Sequence, residues 1–149
     1  NVSLGYKIDI KFKNKKQKSG RKINMWGAVG VAIGGMMGCL GRYGLVTYCY
    51  RRFGDGFPWG TITVNIMGSF LIGLLTVLIV HRWNLGEFWR LALIVGFLGG
   101  FTTFSAFSLD VVNLIQNELW GRAFVYMFSS VGVSLLATFL GLYWAGKLG

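Results

Sequence analysis

The residues best suited to chemistry form the run Gly96-Phe97-Leu98-Gly99-Gly100-Phe101-Thr102-Thr103-Phe104-Ser105-Ala106-Phe107-Ser108, set inside a long apolar stretch. Glycines, threonines and serines so closely spaced make a poor regular helix. At membrane depth a helix can be broken only where protein buries it or where it lines a water-filled cavity. A break frees carbonyls that can coordinate a cation and N–H groups that can face an anion. Residue types alone leave both uses open. Phe104 and Phe107 share a face if the helix resumes there. Aromatic ring edges carry partial positive charge, so two edges in a pore would suit a small anion. Without the neighbouring break, such phenylalanines would be ordinary core.

Other polar residues recur at helical spacing. Thr61, Asn65, Ser69 and Thr76 fall close to one face, and Tyr126, Ser130, Ser134 and Thr138 recur every four residues. Each stripe can be read as interhelical glue, at about 1 kcal/mol or less per bond, or as a track of neutral donors along a pore wall. Gly30, Gly34, Gly38 and Arg42 share another face. The glycines suit close helix packing. Arg42 either serves a vestibule that draws in an anion or snorkels to the interface. Asp110 follows Phe107 by about one turn. There is no Ser/His/Asp set, no catalytic carboxylate pair and no phosphate loop. His81 is the only histidine and reads as a loop residue. Cys39 and Cys49, if on one helix, stand about 15 Å apart along its axis, too far for a disulfide.

The elements that must position these residues follow from composition. The chain has 149 residues, enough for one domain. Charged residues make up 13%, against about 25% in soluble domains. Mean hydropathy is +0.55. Four apolar segments, 26–50, 59–80, 88–116 and 124–144, are each long enough for a hydrocarbon core of about 30 Å. The predicted fold is therefore all-α and integral to the membrane, with four transmembrane helices and a broken third helix. All six tryptophans lie near segment ends, as an interfacial belt requires. A soluble bundle would need polar outer faces, and the second and fourth segments have none.

The net charge of +10 belongs mainly to one end. Residues 1–24 hold eight basic side chains and one acidic one, whereas 25–149 hold seven basic and four acidic. The basicity gives no argument for a nucleic-acid partner. The segment 1–24 is expected to be a disordered or non-native flank of the 25–149 domain; the other reading is a polybasic anchor for anionic membrane lipid. Without it, Arg82, Arg90 and Lys147 stand on the side of the termini, and Arg51, Arg52 and Arg122 on the other, with Arg42 a fourth if it reaches that interface. Lys/Arg bias sets orientation, so the body has almost no preference. It could insert both ways and pair as an antiparallel dimer.

Three strings together resemble the CrcB/Fluc fluoride-channel family: Gly34-Gly35-Met36-Met37-Gly38-Cys39-Leu40-Gly41-Arg42-Tyr43, Gly60-Thr61-Ile62-Thr63-Val64-Asn65-Ile66-Met67-Gly68, and Gly99-Gly100-Phe101-Thr102-Thr103-Phe104-Ser105-Ala106-Phe107. The resemblance covers 25–149. It implies a dual-topology, antiparallel homodimer in the plasma membrane, multi-pass, in the bacterial inner membrane, exporting fluoride passively. It further implies a structural sodium ion at the dimer centre, held by backbone carbonyls of Gly99 and Thr102. Asn65, Phe104 and Phe107 would line the fluoride pore. Tyr126, Ser130 and Ser134 would match its hydroxyl track, Thr61 the polar residue before Asn65, and Arg42 the vestibule arginine. Residues 1–24 depart from the family pattern, and their charge would bias insertion.

Two other functions fit four short spans. A dual-topology drug/proton antiporter needs an embedded carboxylate in its first helix, and residues 25–50 contain none. A non-transporting membrane assembly subunit would use the polar stripes only as glue.

Overall fold

The computed structural model describes residues 24–83 and 85–147, with 80–82 as backbone only. The basic segment up to residue 23 and the side chain of His81 lie outside the described residues. Among those described, every regular element is helical. Four helical runs are long and apolar enough to cross a membrane: Met25–Phe53, Trp59–Ile79, Glu87–Gln116 and Trp120–Lys147.

Local chemistry sets the ends. Helix α1 (Met25–Phe53) starts on Asn24, whose side chain accepts from the Trp26 N–H at 3.2 Å. It stops at Gly54, where φ is +75° and the N–H donates to the Tyr50 carbonyl at 2.9 Å; glycine takes that backbone geometry without strain. Pro58 precedes α2 (Trp59–Thr76), which runs on into a π-helical turn, Val77–Arg82. The third span begins as α3 (Glu87–Arg90), continues as a π-helical stretch, Leu91–Leu98, and ends its first half as α4 (Gly99–Phe101). Thr102 and Thr103 are extended, with ψ of 160° and 120°. Helix α5 (Phe104–Gln116) then completes the span.

The fourth span, α6 (Trp120–Lys147), starts earlier than the apolar boundary at 124 suggests. Trp120, Gly121 and Arg122 are inside the helix. A charged residue at a helix end can reach the interface without ending the helix. The turn shrinks to Asn117, Glu118 and Leu119, with Glu118 at φ +60°. It is closed by the Leu119 N–H on the Leu114 carbonyl at 2.9 Å.

The spans pack mainly as two pairs, α1 against the third span and α2 against α6. Lipid offers no hydrophobic drive between helices, so close packing must hold them. A Cβ added at Gly34 would collide with the Ala92 carbonyl oxygen, and one at Gly38 with that of Phe97. In the second pair, Gly73 abuts the Thr138 carbonyl and Gly141 that of Phe70. A small core of Ile62, Leu114, Ala123 and Tyr126, with Phe57 and Phe107 against it, ties α2, α5 and α6 together. Gly38→Leu should therefore destabilise the fold by about 1–3 kcal/mol. Gly44, with open space around it, should accept alanine and gain up to about 1 kcal/mol. Unfolding of both variants in detergent micelles checks this; equal losses would rule out close approach as the cause.

Candidate ion pathway

The break in the third span is organised by one side chain of α2. The Asn65 Oδ1 accepts the Thr103 N–H at 2.8 Å, and its Nδ2 donates to the Thr103 carbonyl at 3.0 Å. The Thr103 hydroxyl accepts the Ala106 N–H at 3.2 Å and so caps α5. In an unbroken helix the Thr103 N–H would bond the Gly99 carbonyl, and the Ala106 N–H that of Thr102. Both donors are diverted to side chains. The carbonyls of Gly99 and Thr102 thus lose their ordinary helical partners. Among the described residues no group of three or more His, Cys, Asp and Glu could hold a metal ion.

Gly99 and Thr102 border a cavity of about 550 Å³ shared by α2, the third span and α6. Asn65, Ser69, Phe104, Phe107, Ser130 and Ser134 also face it. The hydroxyls of this region divide into two sets. Thr63, Thr76, Ser129 and Thr138 return their protons to the carbonyl four residues back, at 2.6–3.1 Å. The buried hydroxyls of Ser130 and Ser134 have no partner. An unpartnered buried hydroxyl is costly, and these two are available to an occupant of the cavity. The α6 stripe is therefore split: Ser130 and Ser134 serve the cavity, and Thr138 serves its own helix.

Aromatic rings continue the column. Phe104 is 77% exposed at the rim. Its ring lies 5.5 Å from that of Phe107, which lies 5.3 Å from that of Tyr126. Tyr126 is fully buried, with the edge-on ring of Phe57 at 5.5 Å. Its hydroxyl donates to Asp110 at 3.1 Å, and Ser130 follows Tyr126 by one turn on α6. Ser130 belongs to the first cavity. Thr61 and Asp110 belong to a second, of about 350 Å³, near the α1–α2 turn. Tyr126 stands between the two.

Nine of the ten residues that the family resemblance assigns to the site thus fall in one column: Thr61, Asn65, Gly99, Thr102, Phe104, Phe107, Tyr126, Ser130 and Ser134. Arg42 borders neither cavity; its half-buried guanidinium lies 3.8 Å from the Cys39 sulfur. Two residues were missed as parts of the site. Thr103 carried a signal, a threonine placed to cap the helix that resumes after the break. Asp110 carried none, because its bond to Tyr126 joins different helices.

Asn65→Leu should leave both Thr103 backbone groups unpaired and lower stability by about 1–3 kcal/mol, measured by unfolding in micelles. An unchanged midpoint would mean that the break does not depend on Asn65. Comparison with known proteins places the chain in a family. Residues 29–142 match the family model described as CrcB-like protein, Camphor Resistance (CrcB). The chain is 49% identical over 112 residues to a "Fluoride-specific ion channel FluC" of Agrobacterium fabrum, covering 75% of this chain and 90% of that protein. A protein of the same description from Phenylobacterium zucineum is 46% identical over 119 residues, covering 79% and 94%. The relative from Rhizobium etli is 46% identical over 112 residues, covering 75% and 90%. A match over most of the spanning region and identities of this size have one reading: the chain belongs to the CrcB-like family.

Proposed function

We propose that the chain is a fluoride-selective passive channel of the bacterial cell membrane, which lets fluoride leave the cell and so limits its toxicity. The carrying observation is the cavity at the break, walled by neutral donors and phenylalanine rings, with two buried serine hydroxyls free to donate into it. The names of the relatives supply the ion. Fluoride is small and strongly hydrated. A path for it must replace water with several modest donors, because a fixed charge deep inside would hold it too tightly to leave. Asn65, Ser130, Ser134 and the edges of Phe104 and Phe107 meet that demand. Conduction makes and breaks no covalent bond, so no catalytic group is required. No carboxylate occurs in α1, which removes the proton-binding group an antiporter would use.

The assembly is read the same way. Balanced Lys/Arg counts at the two ends of the 25–149 body support insertion in both directions and an antiparallel homodimer. The interrupted third span would meet its mate at the dimer centre. There the carbonyls of Gly99 and Thr102, released from helical bonding, suit a structural sodium ion, a hard cation that takes oxygen ligands. The donor set fits: it is neutral, oxygen-only and independent of side-chain titration. Arg42 would act from the vestibule, outside both cavities.

Liposomes loaded with fluoride and carrying the full chain should release it once charge compensation is supplied, while chloride stays inside. Equal release of both ions, or of neither, defeats the proposal. Phe104→Ile should lower fluoride flux with the oligomer intact; undiminished flux would take that ring out of the path. Ser130→Ala should separate two readouts. Stability is expected to hold or rise, since a buried hydroxyl without a partner is removed, while fluoride flux falls. A loss of stability with flux unchanged would make Ser130 structural glue.

A further inference from the structure

A third cavity, of about 460 Å³, lies on the outer side of the α1–α2 turn. Its walls are Phe53, Phe57, Trp59 and Val125, and its one ionic group is Arg122. No carboxylate borders it. The volume is within the usual range for small-molecule sites. Its depth in the membrane is marked by Trp59 and Trp120, both exposed at the start of their spans, as tryptophans at the headgroup level are.

The Arg122 guanidinium is positioned rather than loose. Its Nη1 donates to the Gly56 carbonyl at 2.9 Å. A guanidinium has five N–H donors, so four remain for another acceptor, and their planar fork matches phosphate oxygens. Arg51 and Arg52, exposed in the last turn of α1, add positive charge next to Phe53. An apolar aromatic trough under a fixed cation, at the interface, has the charge and polarity pattern of a lipid reversed: anion above, hydrocarbon below.

We infer that this groove is a binding site for a phospholipid with a net anionic headgroup. The phosphate sits on Arg122, and an acyl chain lies against Phe53, Trp59 and Val125. The inference rests on the membrane fold and not on the transported ion. Charge complementarity selects lipid over a second copy of the chain. The groove's counterpart must bring negative charge to Arg122; the neighbouring carboxylates, Asp55 and Asp110, border the second cavity and not the groove, and α1 and α6 carry no acidic residue that a second copy could present.

The test uses the full chain, delipidated in mild detergent and offered phosphatidylglycerol or phosphatidylcholine, with lipid adducts counted by native mass spectrometry. Wild type should prefer phosphatidylglycerol. Arg122→Gln should lose about a fivefold share of that preference, the factor one arginine contributes near an anionic surface. Residues 1–24 are common to both proteins, so their charge cancels in the comparison. Val125→Trp, which fills the trough and keeps Arg122, should also lose the adduct; it serves if Arg122→Gln fails to fold. Equal retention of the two lipids by wild type, or an unchanged preference in both variants, overturns the site. So does a near-complete Val125→Cys crosslink between two copies, which would show the groove covered by protein.

Discussion

The two hydrogen bonds between the Asn65 amide and the Thr103 backbone are the constraint on which the rest depends. In lipid a broken helix is tolerable only if its exposed N–H and C=O groups find partners. Asn65 satisfies one of each at once and joins the second span to the middle of the third. Thr103, held extended, then turns its hydroxyl to cap α5. That cap aims Phe104 and Phe107 and leaves the carbonyls of Gly99 and Thr102 unclaimed. A leucine or alanine at 65 could fill space but could not hold this geometry.

Around that point the architecture is one of close backbone approach. Glycines in α1 let the third span lie against it, and Gly73 and Gly141 do the same for α2 and α6. The approach matters most next to the break, where Gly68 faces the Thr102 methyl at a distance no Cβ would allow. Side-chain bulk is instead directed outward, toward lipid, and into the ring column of Phe107, Tyr126 and Phe57. The pathway is thus left as the space that two tightly packed pairs do not fill.

Much of this was legible in the sequence because membrane physics restricts the options. Length and hydropathy located four spans to within a few residues. The Gly/Thr/Phe/Ser string holds the two extended residues, Thr102 and Thr103, and no other stretch inside an apolar segment combines so many poor helix formers. Helical spacing put Asn65 on one stripe and Ser130 and Ser134 on another. What spacing could not say is which hydroxyls face inward. Ser134 and Thr138 share a stripe, yet Thr138 bonds to the Ser134 carbonyl and Ser134 does not bond back. Nor could it foresee that Asn65 would also bond to the backbone of another span, because a one-dimensional pattern carries no partner across helices. The early start of α6 was hidden for a different reason: Arg122 looks like a boundary when charge is counted and like a helix residue when its backbone is seen.

The unpartnered hydroxyls of Ser130 and Ser134 carry a thermodynamic consequence. On the proposed pathway, an occupant would relieve two buried donors that have no partner in the protein. Occupancy and folding then become linked quantities. An anion that binds the folded chain alone raises its stability as the logarithm of concentration. A passage that binds its cargo only weakly gains little by this, which keeps the linkage shallow. The same two serines would set both how firmly the ion is held and how much the fold notices that it has gone.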